Sequence, residues 1–185
     1  MKARGPGQSA HLLIDVAAVL TDHEIEYAVI GAMAAAVYGA IRATTDADAL
    51  LSVSDARLAQ LEKVFKKAGF ATELRRGDLD DPIPALLAVS DRHGNRVDLL
   101  AGLRGLDPLA LSRSITVPFL GSSLRVIGRE DFIAMKCFAG GPQDVTDAAQ
   151  ALATVDQPLD LQLLRRTTRR FGRAAADVLE KLLRV

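Results

Sequence analysis

The sequence predicts an α+β fold, in which a mixed sheet is flanked by helices and followed by a C-terminal helical part. Three observations predict it. The segment from Tyr27 to Val53 has the pattern of a strand, a short alanine-rich helix and a second strand. Two later segments have apolar arms around central turn residues, as β-hairpins do. From Arg129 onward the apolar residues follow helical spacing, so the rest of the chain is expected to be helical.

Length and composition indicate one domain. The 185 residues suffice for a single core. We expect residues 1–128 to form the α+β core and residues 129–185 to form a helical segment packed on it, within one compact unit. Lys+Arg and Asp+Glu balance at 23 each, so no overall field attracts the chain to nucleic acid. One cysteine and no apolar run long enough for a signal peptide or a membrane span favour a cytoplasmic protein without a membrane partner.

The first half of the chain contains predicted elements separated by capping and turn residues. Ser9 is expected to be the N-cap of the first helix, whose apolar stripe would pack on the sheet. Gly31 is expected to open a short helix and Gly39 to end it, and Ser54 or Asp55 to cap the next helix. The predicted elements are the helix Ser9–Asp22, the strand Tyr27–Ile30, the helix between Gly31 and Gly39, the strand with Asp46 and Asp48, and the helix ending at Lys67.

The second half alternates strands with turns before it becomes helical. Charges, a glycine and two prolines make Arg75–Pro84 a loop or an edge insertion, which we interpret as solvated. The run Gly140-Gly141-Pro142 separates two helices, and Gly172 breaks the tail. The predicted strands are Phe70–Leu74, the hairpin Ala85–Ser90 with Asn95–Leu100, and the hairpin Ser114–Phe119 with Ser123–Ile127; the tail, Leu159–Val185, is one or two helices.

Asp46 and Asp48 lie two residues apart on one predicted strand, so their side chains project from the same face. Two carboxylates in an apolar neighbourhood raise each other's pKa and destabilise the fold unless a cation or hydrogen-bond donors lie between them. Carboxylate oxygens and substrate phosphates are ligands that Mg²⁺ prefers. If the hairpin that contains Asp98 pairs with this strand, the three acids meet, as two-metal phosphoryl chemistry requires. Alternatively, Asp98 forms an ion pair with Arg96 or Arg42, or faces solvent.

The turn after the first strand favours an anionic ligand beside these acids. Gly31 and the helix that it opens present unpaired backbone N–H groups and the positive end of a helix dipole, which attract phosphate. The segment therefore predicts both parts of a metal–nucleotide site. The chain has no P-loop sequence, and its histidines have no zinc-ligand spacing with Cys137, so neither a P-loop enzyme nor a zinc site is expected.

Two segments in a fixed order resemble a known family. Gly31 and Ala32 are followed after 13 residues by Asp46-Ala47-Asp48, within IGAMAAAVYGAIRATTDADALLSV. Far downstream, LRVIGREDFIAMKCFAGGPQDVTDAAQAL places a lysine before D-x-x-D on consecutive helices. The pair resembles the DNA polymerase β-like nucleotidyltransferase superfamily, and within it the minimal nucleotidyltransferases and the AbiEii-type toxin nucleotidyltransferases. The resemblance covers residues 11 to 155, and the ordered pair is much more specific than either motif alone.

The resemblance implies a polymerase β-like nucleotidyltransferase core, a nucleoside triphosphate as co-substrate and a set of site residues. Asp46, Asp48 and Asp98 would hold Mg²⁺, or Mn²⁺ in its place, and Asp98 would also help to deprotonate an acceptor hydroxyl. Lys136 would face the nucleotide phosphates. The implied catalytic residues are Asp46, Asp48, Asp98 and Lys136, and the implied nucleotide-binding residues are Gly31, Ala32, Arg42, Lys136 and Asp147.

Each residue outside the acidic strand also has a structural interpretation. Lys136 could be an ordinary lysine on a helix surface, and Arg42 could form a purely structural ion pair. Asp144 is explained by its place in the first turn of a helix, where the dipole favours a carboxylate. Asp147 follows three residues later on the same helix face, and the sequence favours neither a structural nor a functional role for it.

The activity implied by the resemblance is transfer of a nucleoside monophosphate from the triphosphate to a hydroxyl acceptor. The acceptor would be a tRNA 3′ end or a protein, and the chain would be the toxin of a toxin–antitoxin pair with a cognate antitoxin as partner. Two departures from the family pattern, Ala32 for the usual Gly or Ser and Gly141 for a frequent arginine, support the alternative of a scaffold protein without turnover. A third possibility is a small-molecule nucleotidyltransferase of the aminoglycoside-modifying kind.

The C-terminal tail contains a basic ridge, which is a set of arginines at helical spacing. Such a ridge suits an RNA backbone or an acidic partner protein, although it is also typical of a solvated helix face. No aromatic side chains interleave with it, which argues against base stacking. The ridge consists of Arg165, Arg166, Arg169, Arg170 and Arg173.

Overall fold

The computed structural model describes residues 3–42, 44–154 and 158–184. Its helices are α1 (Ser9–Asp22), α2 (Gly31–Val37), α3 (Asp55–Lys67), α4 (Arg129–Ala139), α5 (Pro142–Ala153), α6 (Leu161–Arg170) and α7 (Arg173–Leu182). Its strands are β1 (Tyr27–Ile30), β2 (Asp46–Leu51), β3 (Ala71–Arg76), β4 (Ala85–Ser90), β5 (Arg96–Ala101), β6 (Ile115–Phe119) and β7 (Ser122–Val126), and a 3₁₀ turn, Leu111–Arg113, precedes β6. The predicted α+β fold is confirmed.

Within the described residues, seven strands form one mixed sheet in the order β3-β4-β5-β2-β1-β7-β6. β2 pairs in parallel with β5, and β1 pairs in parallel with β7, whereas the other neighbours are antiparallel. The hairpin strand that contains Asp98 therefore lies beside the strand that contains Asp46 and Asp48. This is the pairing on which the predicted meeting of the three acids depends.

An apolar layer of α1 covers one face of the central strands. Leu13 and Leu20 of α1 are fully buried, and α1 packs against β2 and β5. On those strands Ala47, Ala49 and Leu99 are also fully buried, and they alternate with the acidic residues. Burying one leucine side chain stabilises a fold by about 1.5–3 kcal/mol. A one-residue slip would exchange the two faces, so this layer fixes the face on which the acids lie.

Ser9 does not cap α1. The N-cap is Gln8, and Ser9 is the buried first residue of the helix. Its hydroxyl donates to the carbonyl oxygen of Thr45 at 2.5 Å and accepts from the backbone N–H of Arg96 at 3.1 Å. The predicted N-cap role is therefore wrong, because the hydroxyl instead joins the start of α1 to the starts of β2 and β5.

Several strand boundaries after β2 differ from the prediction by one residue, and the end of β3 differs by two. Ser54 caps α3 as predicted, and its Oγ accepts from the backbone N–H of Arg57 at 3.2 Å. β3 continues to Arg76, so the predicted loop from Arg75 begins two residues too early. The extension is supported by the Arg76 guanidinium, which donates to the two carboxylate oxygens of Asp55 at 2.9 and 3.2 Å.

The C-terminal helices bear part of the predicted basic ridge. α6 and α7 are separated at Gly172, as predicted, where φ is +104°. Arg165 donates to Glu180 at 2.7 Å, and Arg170 donates to the carbonyl oxygen of Gly105 at 3.3 Å. These two arginines therefore hold secondary-structure elements together. In the part of the chain that is described, no helix has both the length and the apolar character to cross a bilayer.

Candidate active site

Three aspartates occupy neighbouring positions on one face of the sheet, and we call them the acidic centre: Asp46, Asp48 and Asp98. In the β2–β5 pair, Asp48 lies opposite Asp98, and Asp46 lies opposite Arg96. Paired residues of adjacent strands share a face, and the strands are about 4.8 Å apart. The structure thus brings together the three acids that the sequence singles out, while their metal-binding and catalytic roles stay predictions.

The charge of Asp48 is poorly compensated. Burial raises the pKa of Asp48 above its usual value, and the carboxylates of Asp98 and Asp46 raise it further. Lys136 and Arg42 lower the pKa of Asp48, but more weakly. Because like charges at this spacing repel, the ionised form of Asp48 destabilises the fold. A cation among the three carboxylates would remove that destabilisation.

Gly31 lies against Asp48 at the end of β1. Its φ is +62°, in the left-handed region that favours glycine. A Cβ added to Gly31 would collide with Oδ2 of Asp48 and lie 3.1 Å from its Cγ. The preceding residue, Ile30, is paired with Asp48 in the ladder between β1 and β2. Backbone conformation and space both require glycine here, so Gly31 allows the close approach of the Asp48 carboxylate.

The predicted phosphate contacts of Gly31 and Ala32 stay predictions. The helix that they open, α2, is short and ends at Val37, and no side chain caps its N-terminus. Ala32 itself is buried. Any contact with a phosphate would therefore come from backbone N–H groups at this end of α2.

Arg96 forms an ion pair with Asp98, which is one of the alternatives that the sequence left open. Its Nε donates to Oδ1 of Asp98 at 2.7 Å, and its Nη1 lies 4.0 Å from Oε2 of Glu73. Both partners are partly open to solvent, with side chains 39% and 19% exposed for Arg96 and Asp98. The acidic centre thus has a cation at one edge, on the side of β3 and β4.

A second group of charges, which we call the Asp147 cluster, consists of Arg42, Lys136, Asp144 and Asp147. Lys136 is buried on α4, so the interpretation as an ordinary surface lysine is wrong. Its Nζ lies 2.8 Å from Oδ1 of Asp144 and 2.9 Å from Oδ2 of Asp147. Asp144 therefore does more than favour the start of α5, because its carboxylate pairs with an ammonium group on the preceding helix.

Asp147 is the buried centre of this cluster. Its side chain has no exposed surface, and its Oδ1 accepts from Nε2 of Gln143 at 2.9 Å. Arg42 lies in the connection between α2 and β2, and its Nη2 is 3.6 Å from Oδ2 of Asp147. Burial alone would raise the pKa of Asp147, but hydrogen bonds from Lys136 and Gln143 hold it below its usual value. Arg42 thus forms the ion pair that the sequence offered as its structural interpretation, and the nucleotide-binding roles of Arg42 and Asp147 stay predictions.

The donor chemistry of the acidic centre fits a hard divalent cation. Carboxylate oxygens suit Mg²⁺ and Mn²⁺, and the carboxylates of Asp98 and Asp46 add to the effect of burial in raising the pKa of Asp48. The grouping is not preassembled, however: across residues 3–42, 44–154 and 158–184, no three His, Cys, Asp or Glu side chains converge as a metal site. The ion pair between Arg96 and Asp98 directs Oδ1 of the third carboxylate to the guanidinium, at 2.7 Å.

Sequence reasoning missed Glu73 and Gln143. Gln143 lies four residues before Asp147 on α5, and that spacing was a usable signal. Glu73 approaches Arg96 only because β3, β4 and β5 pair in their observed register. No local pattern in the sequence specifies that register.

A cavity of ≈ 360 Å³ lies where the end of α2 meets the start of α4. Its walls include Val37, Tyr38, Ile115, Gly128 and Glu130. None of the predicted site residues lines it. The Tyr38 hydroxyl donates to the carbonyl oxygen of Ile127 at 2.6 Å, which ties α2 to the segment after β7.

No protein-family model matches the sequence, and no curated protein is significantly similar to it. Solved structures do match. A nucleotidyltransferase-like protein from Paracoccidioides brasiliensis is 18% identical with a TM-score of 0.57, over 95% of this chain and 92% of its own. The chain has a nucleotidyltransferase fold. The antibiotic-resistance factor ANT(2'')-Ia is 13% identical with a TM-score of 0.61, over 95% of this chain and 96% of its own.

The lincosamide antibiotic adenylyltransferase LnuA, solved with lincomycin bound, shares the same fold. It is 12% identical with a TM-score of 0.52, over 82% of this chain and all of its own, 100%. At this level of identity the similarity shows the architecture alone. The implied polymerase β-like core is thus confirmed as a fold, whereas no finding supports the AbiEii-type subfamily in particular.

Proposed function

We propose that this protein is a metal-dependent nucleotidyltransferase that moves a nucleoside monophosphate from a triphosphate to a hydroxyl acceptor. The observation that carries the proposal is the acidic centre, in which Asp48 and Asp98 face each other across two parallel strands with Asp46 on the same face. The nucleotidyltransferase fold of the chain supports it independently.

In this proposal each site residue has a defined task, and Asp98 has two. Asp46, Asp48 and Asp98 hold Mg²⁺ or Mn²⁺, which supplies Lewis-acid stabilisation of the phosphoryl oxygens when bound. Asp98 also accepts the proton of the acceptor hydroxyl as that group attacks. Backbone N–H groups at Gly31 and Ala32 orient the phosphates, and Lys136 and Arg42 offset their negative charge.

The transfer itself is a displacement at the α-phosphorus. The hydroxyl oxygen forms a bond to the α-phosphorus, the bond from that phosphorus to the bridging oxygen breaks, and pyrophosphate leaves with the electron pair. The proton of the hydroxyl passes to the carboxylate of Asp98. Most of the acceleration would come from positioning and from electrostatic stabilisation of the developing charge, as in other phosphoryl transfers.

The acceptor is a separate part of the proposal. The resemblance of the sequence motifs to AbiEii-type proteins supports a tRNA 3′ end or a protein hydroxyl, and with it a toxin role with a cognate antitoxin. The solved structures with the same fold support a small-molecule acceptor, since one contains adenylyl-2''-tobramycin and another contains lincomycin. A scaffold protein without turnover is the competing class, supported by Ala32 and Gly141.

A label-transfer experiment tests the proposal. The protein is incubated with each of the four nucleoside triphosphates, radiolabelled at the α-phosphate, and Mg²⁺. Separate reactions contain total RNA, a protein extract, or a panel of aminoglycosides and lincosamides. We expect label in one acceptor class and its loss in Asp46→Ala. Asp80→Asn, an exposed loop acid, is the matched control and should keep the label.

A second measurement separates the enzyme from the scaffold. Binding of Mn²⁺ and of each triphosphate is titrated directly, by electron paramagnetic resonance and by calorimetry. Binding that Asp48→Asn weakens, together with transfer, supports the enzyme. If no triphosphate is transferred and none binds in the presence of metal, the proposed function is wrong and the scaffold interpretation stands.

A further inference from the structure

The charge of Asp147 cannot be explained by contact with a ligand, because its side chain has no exposed surface. A buried carboxylate without partners would destabilise the fold by several kcal/mol, so it persists only where cations and donors surround it. Lys136, Gln143 and Arg42 are these partners, at 2.9, 2.9 and 3.6 Å. Asp147 therefore restricts the positions of the two cations that contact it, Lys136 and Arg42.

Its two cationic partners come from different parts of the chain. Lys136 lies near the end of α4, and Arg42 lies in the connection that leads into β2. Both have long side chains, and that of Lys136 is especially flexible, so neither stem alone fixes the position of its charge. One buried carboxylate holds both, and its own position is fixed by the hydrogen bond from Gln143, one turn earlier on α5.

The same two cations reach the acidic centre electrostatically. Lys136 and Arg42 are the cations that lower the pKa of Asp48, so both lie within range of its carboxylate. The two cations that Asp147 holds are therefore the ones whose charge acts on Asp48. A triphosphate bound near Asp48 would use positive charge from the protein as well as from a metal ion.

Asp144 and Asp147 contact the same ammonium group but differ in exposure. The side chain of Asp144 is 28% exposed, whereas that of Asp147 is 0% exposed. An ammonium has three N–H donors, and a phosphate oxygen that reaches Lys136 from solvent could take the donor that Asp144 now accepts. The buried pair with Asp147 would remain. The two acids therefore have separable roles, one exchangeable and one fixed.

We propose that Asp147 is a positioning residue that holds Lys136 and Arg42 in place for the phosphates of the substrate, while Asp144 is the partner that a phosphate displaces. This inference rests on the proposed function, in that it assigns the phosphates of that reaction to Lys136 and Arg42. Asp147 then affects the nucleotide through Lys136 and Arg42 and does not contact it directly.

The first test measures the position of Lys136 without any substrate. Acetylation of the full chain with an amine-reactive ester is followed by mass spectrometry at Lys136. We expect Asp147→Asn to raise the acetylation rate of Lys136 by roughly tenfold, because the ammonium group loses the buried carboxylate that holds it in place. Asp131→Asn is the matched control, since Asp131 is a carboxylate on α4, 2% exposed, that pairs instead with Arg113 at 2.7 Å. An unchanged rate in Asp147→Asn overturns the proposal.

The second test measures phosphate binding. Pyrophosphate with Mg²⁺ is titrated into the wild type, Lys136→Met, Asp147→Asn and the double variant. We expect each single variant to weaken binding about tenfold, and the double variant to lose less than the two single losses combined, because Asp147 acts partly through Lys136 and partly through Arg42. Additive losses, or an effect of Asp147→Asn on melting temperature alone, mean that Asp147 is only structural.

A third test measures kcat and KM for the triphosphate separately in variants of Asp147 and Asp144. Asp147→Asn should raise KM for the triphosphate and lower kcat together, and Asp147→Glu should restore part of both. Asp144→Asn should lower KM with little effect on kcat, because the phosphate no longer has to displace this carboxylate from Lys136. If the wild type binds neither pyrophosphate nor any triphosphate while the acetylation result holds, the proposed function is wrong and Asp147 is a structural ion-pair residue.

Discussion

The acidic centre and the Asp147 cluster are two groups of charges whose surroundings shift carboxylate pKa values in opposite directions. In the acidic centre, burial and two neighbouring carboxylates raise the pKa of Asp48. In the Asp147 cluster, hydrogen bonds from Lys136 and Gln143 outweigh burial and lower the pKa of Asp147. Asp48 lies among other carboxylates in a partly exposed group, whereas the carboxylate of Asp147 is buried and paired with cations.

Under the proposed function, the difference is between a carboxylate that maintains the fold and carboxylates that bind a cationic ligand. A buried carboxylate with its cations stabilises the folded state over the unfolded one. Carboxylates held together without a cation do the reverse, and proteins retain such arrangements at functional sites, where the ligand supplies the missing charge. The comparison therefore predicts that substitutions in the two groups change stability in opposite directions.

The largest expected effect is on Asp48. Asp48→Asn should reduce nucleotidyl transfer by roughly 10³-fold, the scale of removing one electrostatic contact to the transition state. The same variant should raise the free energy of unfolding at neutral pH by roughly 0.5–2 kcal/mol, the range of one stabilising substitution. The sign follows from the raised pKa: ionisation of Asp48 costs the folded state stability as pH rises above the unfolded value. Urea unfolding and label transfer on the same preparation measure both.

The control for this result is the pH dependence of its stability gain. The gain of Asp48→Asn over wild type should be small at acidic pH, where Asp48 is protonated in both folded and unfolded states, and should grow as pH rises through the raised pKa. A variant that is less stable than wild type at neutral pH would contradict the assignment of uncompensated charge to the acidic centre.

The second effect is loss of stability in the Asp147 cluster. Asp147→Asn should lower the free energy of unfolding at neutral pH by about 3 kcal/mol, because it leaves Lys136 and Arg42 without their buried partner. Since the pKa of Asp147 is lowered, its contribution is present above the unfolded value and is lost as pH falls through the folded value. Unfolding measured from neutral to acidic pH should therefore show the two proteins converging. Parallel curves would mean that the charge of Asp147 does not stabilise the fold.

How much of this comparison the sequence predicts depends on the range of the interaction. The face shared by Asp46 and Asp48 follows from strand alternation, and the cap at Ser54 follows from local chemistry, so both could be predicted. The position of Asp98 beside them depends on the pairing of distant strands, which local patterns do not specify. The resemblance to the nucleotidyltransferase superfamily predicts that pairing. Local rules also mislead, since Ser9 fits an N-cap pattern but bonds instead to two strands.

The Asp147 cluster shows why the rest could not be predicted. Its contacts join residues up to 105 positions apart, from Arg42 to Asp147, and no local pattern encodes such a separation. A lysine with apolar neighbours on a helix is compatible with both burial and exposure, because its stem is apolar and its end is charged. The tertiary packing of α4 against the other C-terminal helices decides that Lys136 is buried.

A third effect concerns the close approach of Gly31 to Asp48. Gly31→Ala should lower the free energy of unfolding by about 2–3 kcal/mol, since a left-handed backbone conformation and a steric conflict with the Asp48 carboxylate act together. Gly69→Ala is the matched control, because its φ is +91° but a Cβ there would meet nothing within 4 Å. Gly69→Ala should cost about 1 kcal/mol, which is the backbone share alone. Equal losses in urea unfolding would show that Asp48 is free to move away from Gly31.

The smallest effect tests the boundary of the acidic centre, at Arg96. Arg96→Gln removes a half-exposed ion pair, so the free energy of unfolding should change by at most about 1 kcal/mol. Because the guanidinium occupies one oxygen of Asp98, the variant should bind Mn²⁺ more tightly, by roughly fivefold for about 1 kcal/mol of released competition. Arg76→Gln is the control, since Arg76 makes a similar exposed pair with Asp55 away from the three acids, at 2.9 Å. If both variants bind Mn²⁺ as the wild type does, Arg96 does not compete with a cation for the carboxylate of Asp98.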